Sequence, residues 1–398
     1  MRIREYNRSY HPMMSIYLVI FFLVFTNDCS GQVNNKEWSK LKFGSYNVGY
    51  RDTIIYDTTE NYSFKNLNTL KPYFIHIWYP CEINPKATSS FYYKDYWNFE
   101  KDSINNEIIS NLINVYYGQT FDSSDIPPEI ANQFVNVQKN ATKLPGDFDV
   151  VLYYHGSQGV GIENSKLCEF LASHGFIVVS PNFTLPSDLV SKLIPSTTFK
   201  SKFDLSELSP EMMSKIEIEM NMAEMQNLDF ILKFVKQISA NNKIIGIGHS
   251  RGAQRIMLSD ADRVDRLDKI IALHTMYEED DINEICSIRS FDCSLIEGNE
   301  QFFTTEKYFF APKYYTNDTL KSPDFTFYDR FKNTAYLEIN IPIEHNAFVY
   351  DWLLYNTLKN TVDPNRVREY NRILNLCVDI INEKKISSNK FMKFSKNY

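Results

Sequence analysis

Glycine is scarce in this chain, with 13 in 398 residues, so any place where several cluster is informative. Cysteine is scarcer still. Of six, Cys29 lies in the N-terminal segment, and the other five (Cys81, Cys168, Cys286, Cys293 and Cys377) cannot all pair, which excludes a disulfide scaffold. No Cys/His spacing resembles a zinc site and no glycine-rich loop of the phosphate-cradling kind occurs, so neither metal nor cofactor is expected. The formal net charge is −7 and basic residues form no block, which argues against nucleic acid as a partner. Past Phe25 no segment is long and apolar enough to span a bilayer. Internal repeats are absent.

What is present begins with an address. Arg2, Arg4 and Arg8 precede an apolar stretch at 15–25, and Cys29-Ser30-Gly31 supply small residues beyond it. That order reads as a secretory signal at 1–31, cleaved before Gln32, and places the mature protein outside the cytoplasm, secreted or periplasmic. Met13-Met14 offers an alternative start with the same core. Lipidation at Cys29 is the weaker reading because Asp28 fits a lipobox poorly. Residues 32–398 suffice for a single α/β domain. In an oxidising compartment Cys286 and Cys293 are close enough to bridge a loop, and this stays open.

Strands and helices then alternate. Residues 48–56 and 74–80 read as an early antiparallel pair, followed by a polar and aromatic insertion at 92–145 with a helical stretch near 104–117. Asp149–Tyr154 is an unbroken apolar run suited to a central parallel strand. A helix around Ser165–His174 closes at Gly175, and Phe176–Ser180 is the next strand. The connection at 184–207 lacks periodicity and suits a rim or lid. Ser209-Pro210-Glu211 caps a helix whose buried face is Ile216, Met220, Ala223, Leu228, Ile231, Leu232 and Val235. Strands at 243–247, 269–273 and 293–297 follow, residues 302–345 read as irregular, and a last helix starts near Phe348. The expected architecture is a mostly parallel sheet with helices on both faces.

The glycines cluster where chemistry would need them. Gly248-His249-Ser250-Arg251-Gly252 follows the apolar run 243–247, and a G-x-S-x-G segment on a strand-to-helix turn is a nucleophile elbow. Its serine needs a base. In this fold the order is Ser, acid, His, and only His274 and His345 follow Ser250; loop position favours His345. The oxyanion donors expected are the N–H of Arg251, at a helix start, and of Ser157 in the loop His155–Gly159. His155 is expected to support that loop by hydrogen bonding. The acid is harder to place. Glu300, after the strand 293–297, is favoured over Glu278, Glu279, Asp280 and Asp281 after the strand 269–273.

These segments, together with Gly44–Arg51, Ile77–Pro80, Tyr154–Ser157, Leu167–Gly175 and His345–Phe348, resemble the platelet-activating-factor acetylhydrolase and dienelactone-hydrolase-like branch of the α/β-hydrolases across most of 43–355. The resemblance implies an α/β-hydrolase fold, Ser250 as nucleophile, His345 as base, Ser157 and Arg251 as oxyanion donors, and a small-molecule ester or lipid substrate. One departure stands out: where the family carries an aspartate after the strand beyond the elbow, Leu273 is followed here by His274. Either the acid has moved, with Glu300 serving, or the site is impaired. A second departure is the cation of Arg251 beside the nucleophile, expected to point to solvent. The first expectation is therefore a secreted serine hydrolase acting through an acyl-enzyme. The alternative is a catalytically impaired α/β-hydrolase serving as a binding or surface protein; a peptidase of the same fold ranks third, since no propeller-sized domain is present.

Overall fold

Alternate residues of the central strands go to opposite, equally apolar faces of one sheet, which is why those strands read as unbroken hydrophobic runs. The computed structural model describes residues 37–64, 67–82, 90–97, 128–156, 159–182, 210–239, 242–259, 267–274, 305–316, 319–322, 333–359, 363–389 and 392–397. In chain order these form β1 (Asn47–Phe64), β2 (Leu67–Cys81), β3 (Phe91–Tyr92), α1 (Pro128–Ala131), β4 (Phe134–Val135), β5 (Gln138–Lys139), β6 (Val150–Tyr154), α2 (Ser165–Ser173), β7 (Ile177–Pro181), α3 (Pro210–Ser239), β8 (Ile244–His249), α4 (Arg251–Ser259), β9 (Lys269–Leu273), β10 (Glu306–Thr316), β11 (Thr319–Lys321), β12 (Thr334–Pro342), α5 (Tyr350–Leu358), α6 (Pro364–Ile381) and β13 (Met392–Asn397).

The main sheet runs β13-β12-β10-β9-β8-β6-β7-β2-β1-β5, with β11 paired to β10. From β7 across to β12 the neighbours are parallel. The pairs β1–β2, β2–β7 and β12–β13 are antiparallel. Val151 and Tyr153 of β6 face one core with Leu167, Phe170 and Leu171 of α2 and Tyr370, Ile373 and Leu374 of α6. Val150, Leu152 and Tyr154 face the other, with Leu228, Ile231, Leu232 and Val235 of α3 and Ala253, Ile256 and Met257 of α4. The buried face expected for α3 is thus observed from Ala223 onward.

Helix ends follow local rules. Gly175 sits at φ +98° just beyond α2, a left-handed position that costs glycine little. Asp363 caps α6 by accepting the Asn365 N–H at 2.9 Å, with Pro364 at the first helical position.

One part of the sequence reading needs correction. Residues 302–345 are not irregular: they supply β10 and β12, the two parallel strands that carry the sheet beyond β9. β10 contains Pro312, which argues against a central strand. The chain accommodates it with a register shift between Pro312 and Lys313 opposite β12. The helical stretch near 104–117, the connection 184–207, the strand at 293–297, residues 1–31 and the Cys286–Cys293 pair lie outside the described residues. Cys81, Cys168 and Cys377 are buried free thiols. No helix among the described residues is long and apolar enough to cross a membrane.

Candidate active site

The bend at residue 250 is built by close backbone approach. Ser250 has φ +52°, a left-handed conformation that a non-glycine residue adopts only at a cost of about 1–2 kcal/mol. Both flanking glycines are required sterically. A Cβ on Gly248 would lie 2.4 Å from the Ala253 nitrogen, and one on Gly252 would lie 2.1 Å from the Tyr154 carbonyl oxygen. Strand β8 therefore turns into α4 with no room for a side chain on either side, and Ser250 is left half-buried at the C-terminal edge of the sheet. This is the elbow expected from the G-x-S-x-G spacing.

The neighbouring strand ends in the same way. Ser250 donates its backbone N–H to the Leu273 carbonyl at 3.1 Å, and the next residue, His274, is also left-handed at φ +49°. Its own N–H goes to the Phe310 carbonyl at 2.9 Å. The ends of β8 and β9 thus lie side by side against the middle of β10, and residue 274 stands next to the elbow by register.

His345 begins a short 3-10 turn, His345–Phe348, ahead of α5. It comes to this same edge. Its backbone carbonyl accepts a hydrogen bond from His249 Nε2 at 3.2 Å, and the two imidazole rings lie 4.6 Å apart. His345 Nδ1 is 2.8 Å from His274 Nδ1. His274 in turn stacks on Phe348 at 5.2 Å between centroids. The structure therefore places His345 against the residue that precedes Ser250 and against His274.

The electrostatics of this cluster are those of neutral imidazoles. Burial lowers the pKa of His274 to about 3, and the nearby His345 adds to the effect. Partial desolvation of its ring lowers His345 below the ordinary imidazole value, although the residue as a whole is exposed. His249 is buried and shifted well down, chiefly by burial and then by His345.

Beneath the elbow the loop after β6 is held by a carboxyl that the sequence reading did not single out. Glu163 Oε1 accepts the Gly156 N–H at 3.0 Å and the Tyr153 hydroxyl at 2.8 Å. It lies 3.8 Å from His249 Nδ1. Burial raises its pKa to about 7, against which the Gly156 and Tyr153 bonds pull downward. Gly156 has no room for a side chain, since a Cβ would fall 2.8 Å from His249 Nδ1 and 3.5 Å from the Ser250 Cβ. The N–H of Gly156 is thus engaged below the site. His155, as expected, serves the loop: its Nδ1 donates to the Gly156 carbonyl at 2.8 Å.

Arg251 departs from expectation. Its side chain turns inward, and Nε donates to Glu224 Oε2 at 2.8 Å, the same oxygen that receives Arg255 Nε at 2.8 Å. Burial pushes the Glu224 carboxyl upward, but the two guanidiniums outweigh it and hold the group below its ordinary value. The cation thus neither faces solvent nor stands ready for an acidic substrate; it ties α4 to α3. The backbone N–H of Arg251 opens α4, where donors are unpaired within the helix. Ser157, Glu300, Glu278, Glu279, Asp280 and Asp281 lie outside the described residues. Among the described residues no group of three or more His, Cys, Asp or Glu could hold a metal ion.

With this geometry established, comparison with known proteins adds the following. A family model described as Chlorophyllase matches residues 123–261, a span that includes β6, the loop after it and the elbow. Curated protein sequences give no match. Among solved structures, a ferulic acid esterase from Streptomyces cinnamoneus superposes with a TM-score of 0.50 at 13% identity, covering 88% of this chain and 96% of that one. A predicted CIB-like hydrolase from Thermoplasma acidophilum aligns over 60% of this chain and 89% of its own, at 10% identity and a TM-score of 0.33. The strand order, the elbow at Ser250 and the superposition over nearly the whole chain agree: this protein has the α/β-hydrolase fold.

Proposed function

We propose that the protein is a serine hydrolase that cleaves carboxylic esters through an acyl-enzyme, with Ser250 as nucleophile and His345 as general base. The observation that carries this reading is the left-handed Ser250, half-buried on a glycine-flanked bend, with the His345 segment hydrogen-bonded to the adjacent His249. Strain of this kind is maintained where a hydroxyl must stand clear of the sheet. In the reaction, Ser250 Oγ attacks the ester carbonyl while its proton passes to His345 Nε2. The tetrahedral oxyanion is met by the Arg251 N–H and by a donor from the loop after β6, for which Ser157 is the candidate. The alkoxide then leaves with the proton from His345, and water repeats the sequence on the acyl-enzyme. The esterase among its structural neighbours and the Chlorophyllase match support an ester as the substrate class. The motif resemblance to the platelet-activating-factor acetylhydrolase and dienelactone-hydrolase-like branch supports a small ester or lipid. The signal-like segment at 1–31 supports export, and sequencing the N-terminus of the exported protein tests it.

A fluorophosphonate probe tests the chemistry directly. The wild-type protein is expected to be labelled and Ser250→Ala is not. Equal labelling of the two, or none of the wild type, refutes the proposal and leaves a binding protein on a hydrolase fold. Turnover of p-nitrophenyl esters of graded acyl length would then define the acyl pocket.

A further inference from the structure

The base of such a site needs a partner on its far nitrogen, and in this protein that position is filled by another imidazole. Resting on the reading of Ser250 and His345 given above, we propose that His274 is the positioning residue of the triad: its Nδ1 lone pair accepts the Nδ1–H of His345, in place of a carboxylate. The 2.8 Å contact joins Nδ1 to Nδ1, so one ring must donate and the other accept. Only one assignment leaves a working base. If His345 carries its proton on Nδ1, its Nε2 is a free lone pair that can take the Ser250 proton; the reverse tautomer blocks it. His274 then carries its own proton on Nε2.

Three observations independent of titration support His274 as a built partner. It occupies a left-handed φ that the chain must stabilise elsewhere, at the end of the strand next to β8. Its backbone is pinned to Phe310 and its ring lies on Phe348, three residues beyond the imidazole it contacts. Register along β8 and β9 sets it beside the elbow, since the Leu273 carbonyl receives the Ser250 N–H. Burial, and then His345, hold the pKa of His274 down to about 3, which keeps the ring neutral and able to accept.

A neutral acceptor reproduces the orienting function of an aspartate and omits its charge. Among the described residues, the groups facing His345 are His274 after β9, His249 at the end of β8, and the Glu344–Arg366 pair beside it on its own segment and α6. Glu163 reaches this cluster only through the far nitrogen of His249, 3.8 Å away. Among the described residues, the imidazolium formed in the reaction therefore has a neutral imidazole, and not an anion, on its Nδ1. The acid limb of the pH–rate profile is accordingly expected below the ordinary imidazole value of 6.5.

The test uses the rate of fluorophosphonate labelling of the full-length protein against pH, which needs no known substrate. In that reaction the Oγ–P bond forms, the P–F bond breaks, fluoride leaves with the electron pair, and the hydroxyl proton passes to His345 Nε2. His274→Leu keeps volume and removes the acceptor, and should slow labelling by roughly 10²–10⁴-fold. His274→Asn restores an acceptor and should recover most of that loss. His274→Asp restores an anion and should move the acid limb upward by about one pH unit or more. Labelling of His274→Leu at the wild-type rate with the wild-type profile overturns the proposal while leaving Ser250 and His345 intact. Loss of the difference between wild type and Ser250→Ala overturns the site itself. If the leucine variant does not fold, an acid limb unmoved in His274→Asp refutes the assignment alone.

Discussion

Glu163 is a carboxyl in an unusual position, buried to 7% exposure and hydrogen-bonded to two neutral donors, the Gly156 N–H and the Tyr153 hydroxyl. Burial raises its pKa from the ordinary 4.5 to about 7, a gap worth roughly 3 kcal/mol. The sign follows from proton binding. The folded protein holds this proton more tightly than the unfolded chain, so the contribution to stability is greatest below 4.5 and falls as pH rises to about 7. Above that the charged carboxylate remains a burden of constant size. Glu163→Gln removes the titration and keeps an oxygen that can accept from both Gly156 and Tyr153. Relative to wild type, the variant should gain about 2–3 kcal/mol between pH 5 and pH 8. The absolute gain depends on whether the new amide N–H₂ finds an acceptor near Gly159, and an unmet donor would subtract about 1–3 kcal/mol. The pH dependence of the difference does not depend on that. Asp351, also buried and raised chiefly by burial, is raised further by the Glu163 charge, so their repulsion adds to the wild-type loss at high pH in the same direction. Urea unfolding of both proteins at pH 5, 6, 7 and 8 measures the difference. A constant difference across that range would refute the reasoning, since it would mean that Glu163 is ionised throughout and needed as an anion.

Three further substitutions probe the elbow and its support. Ser250→Gly should be more stable than Ser250→Ala by about 0.5–1 kcal/mol, because glycine accepts φ +52° without strain and gives back only part of that gain as unfolded-state entropy; equal thermal midpoints would show that the bend stores no strain. Gly252→Ala places a methyl 2.1 Å and 2.3 Å from the Tyr154 and His155 carbonyl oxygens, which belong to backbone and cannot turn aside. A loss above about 3 kcal/mol, or failure to fold, is expected in denaturant titration; a near-neutral outcome would mean that α4 moves freely off β6. Arg255→Met removes one of the two guanidiniums on the buried Glu224 and should cost about 2–4 kcal/mol in the same assay. A smaller cost would show that Arg251 suffices.

How much of this was legible in the sequence depended on whether a feature is local. The elbow is local: a buried strand, two glycines that backbone contact demands, and a serine between them lie within about ten residues. β6, β7 and α2 were equally readable, since parallel strands covered on both faces show as continuous apolar runs bounded by turn residues. β10 and β12 were not. Their aromatic content and the proline at 312 mimic an irregular segment, and the register shift that accommodates Pro312 depends on a partner strand across the sheet. Glu163 and Glu224 were missed for a related reason. Each sits on a helix or loop with no motif around it, and its importance comes from what lies across the core: Gly156 and Tyr153 for one, Arg251 and Arg255 for the other.

The identity of the acid shows where the sequence argument ended and geometry had to take over. Against the family it resembles, Leu273-His274 departs from an aspartate, and that resemblance implies either that the acid has moved, with Glu300 serving, or that the site is impaired. That inference assumed that orienting the base and stabilising its charge are one requirement. They are separable. Orientation needs only a lone pair at hydrogen-bond distance from Nδ1, and the fixed register of β8 against β9 places residue 274 beside the elbow whichever side chain it carries. Charge stabilisation needs an anion, which a neutral imidazole does not supply. A site that meets the first requirement without the second should still direct its nucleophile, should depend on tautomer more than on field, and should work at lower pH than its carboxylate counterparts. For that reason the response of the pH profile to an aspartate at 274 is more telling than the loss of rate on removing the histidine.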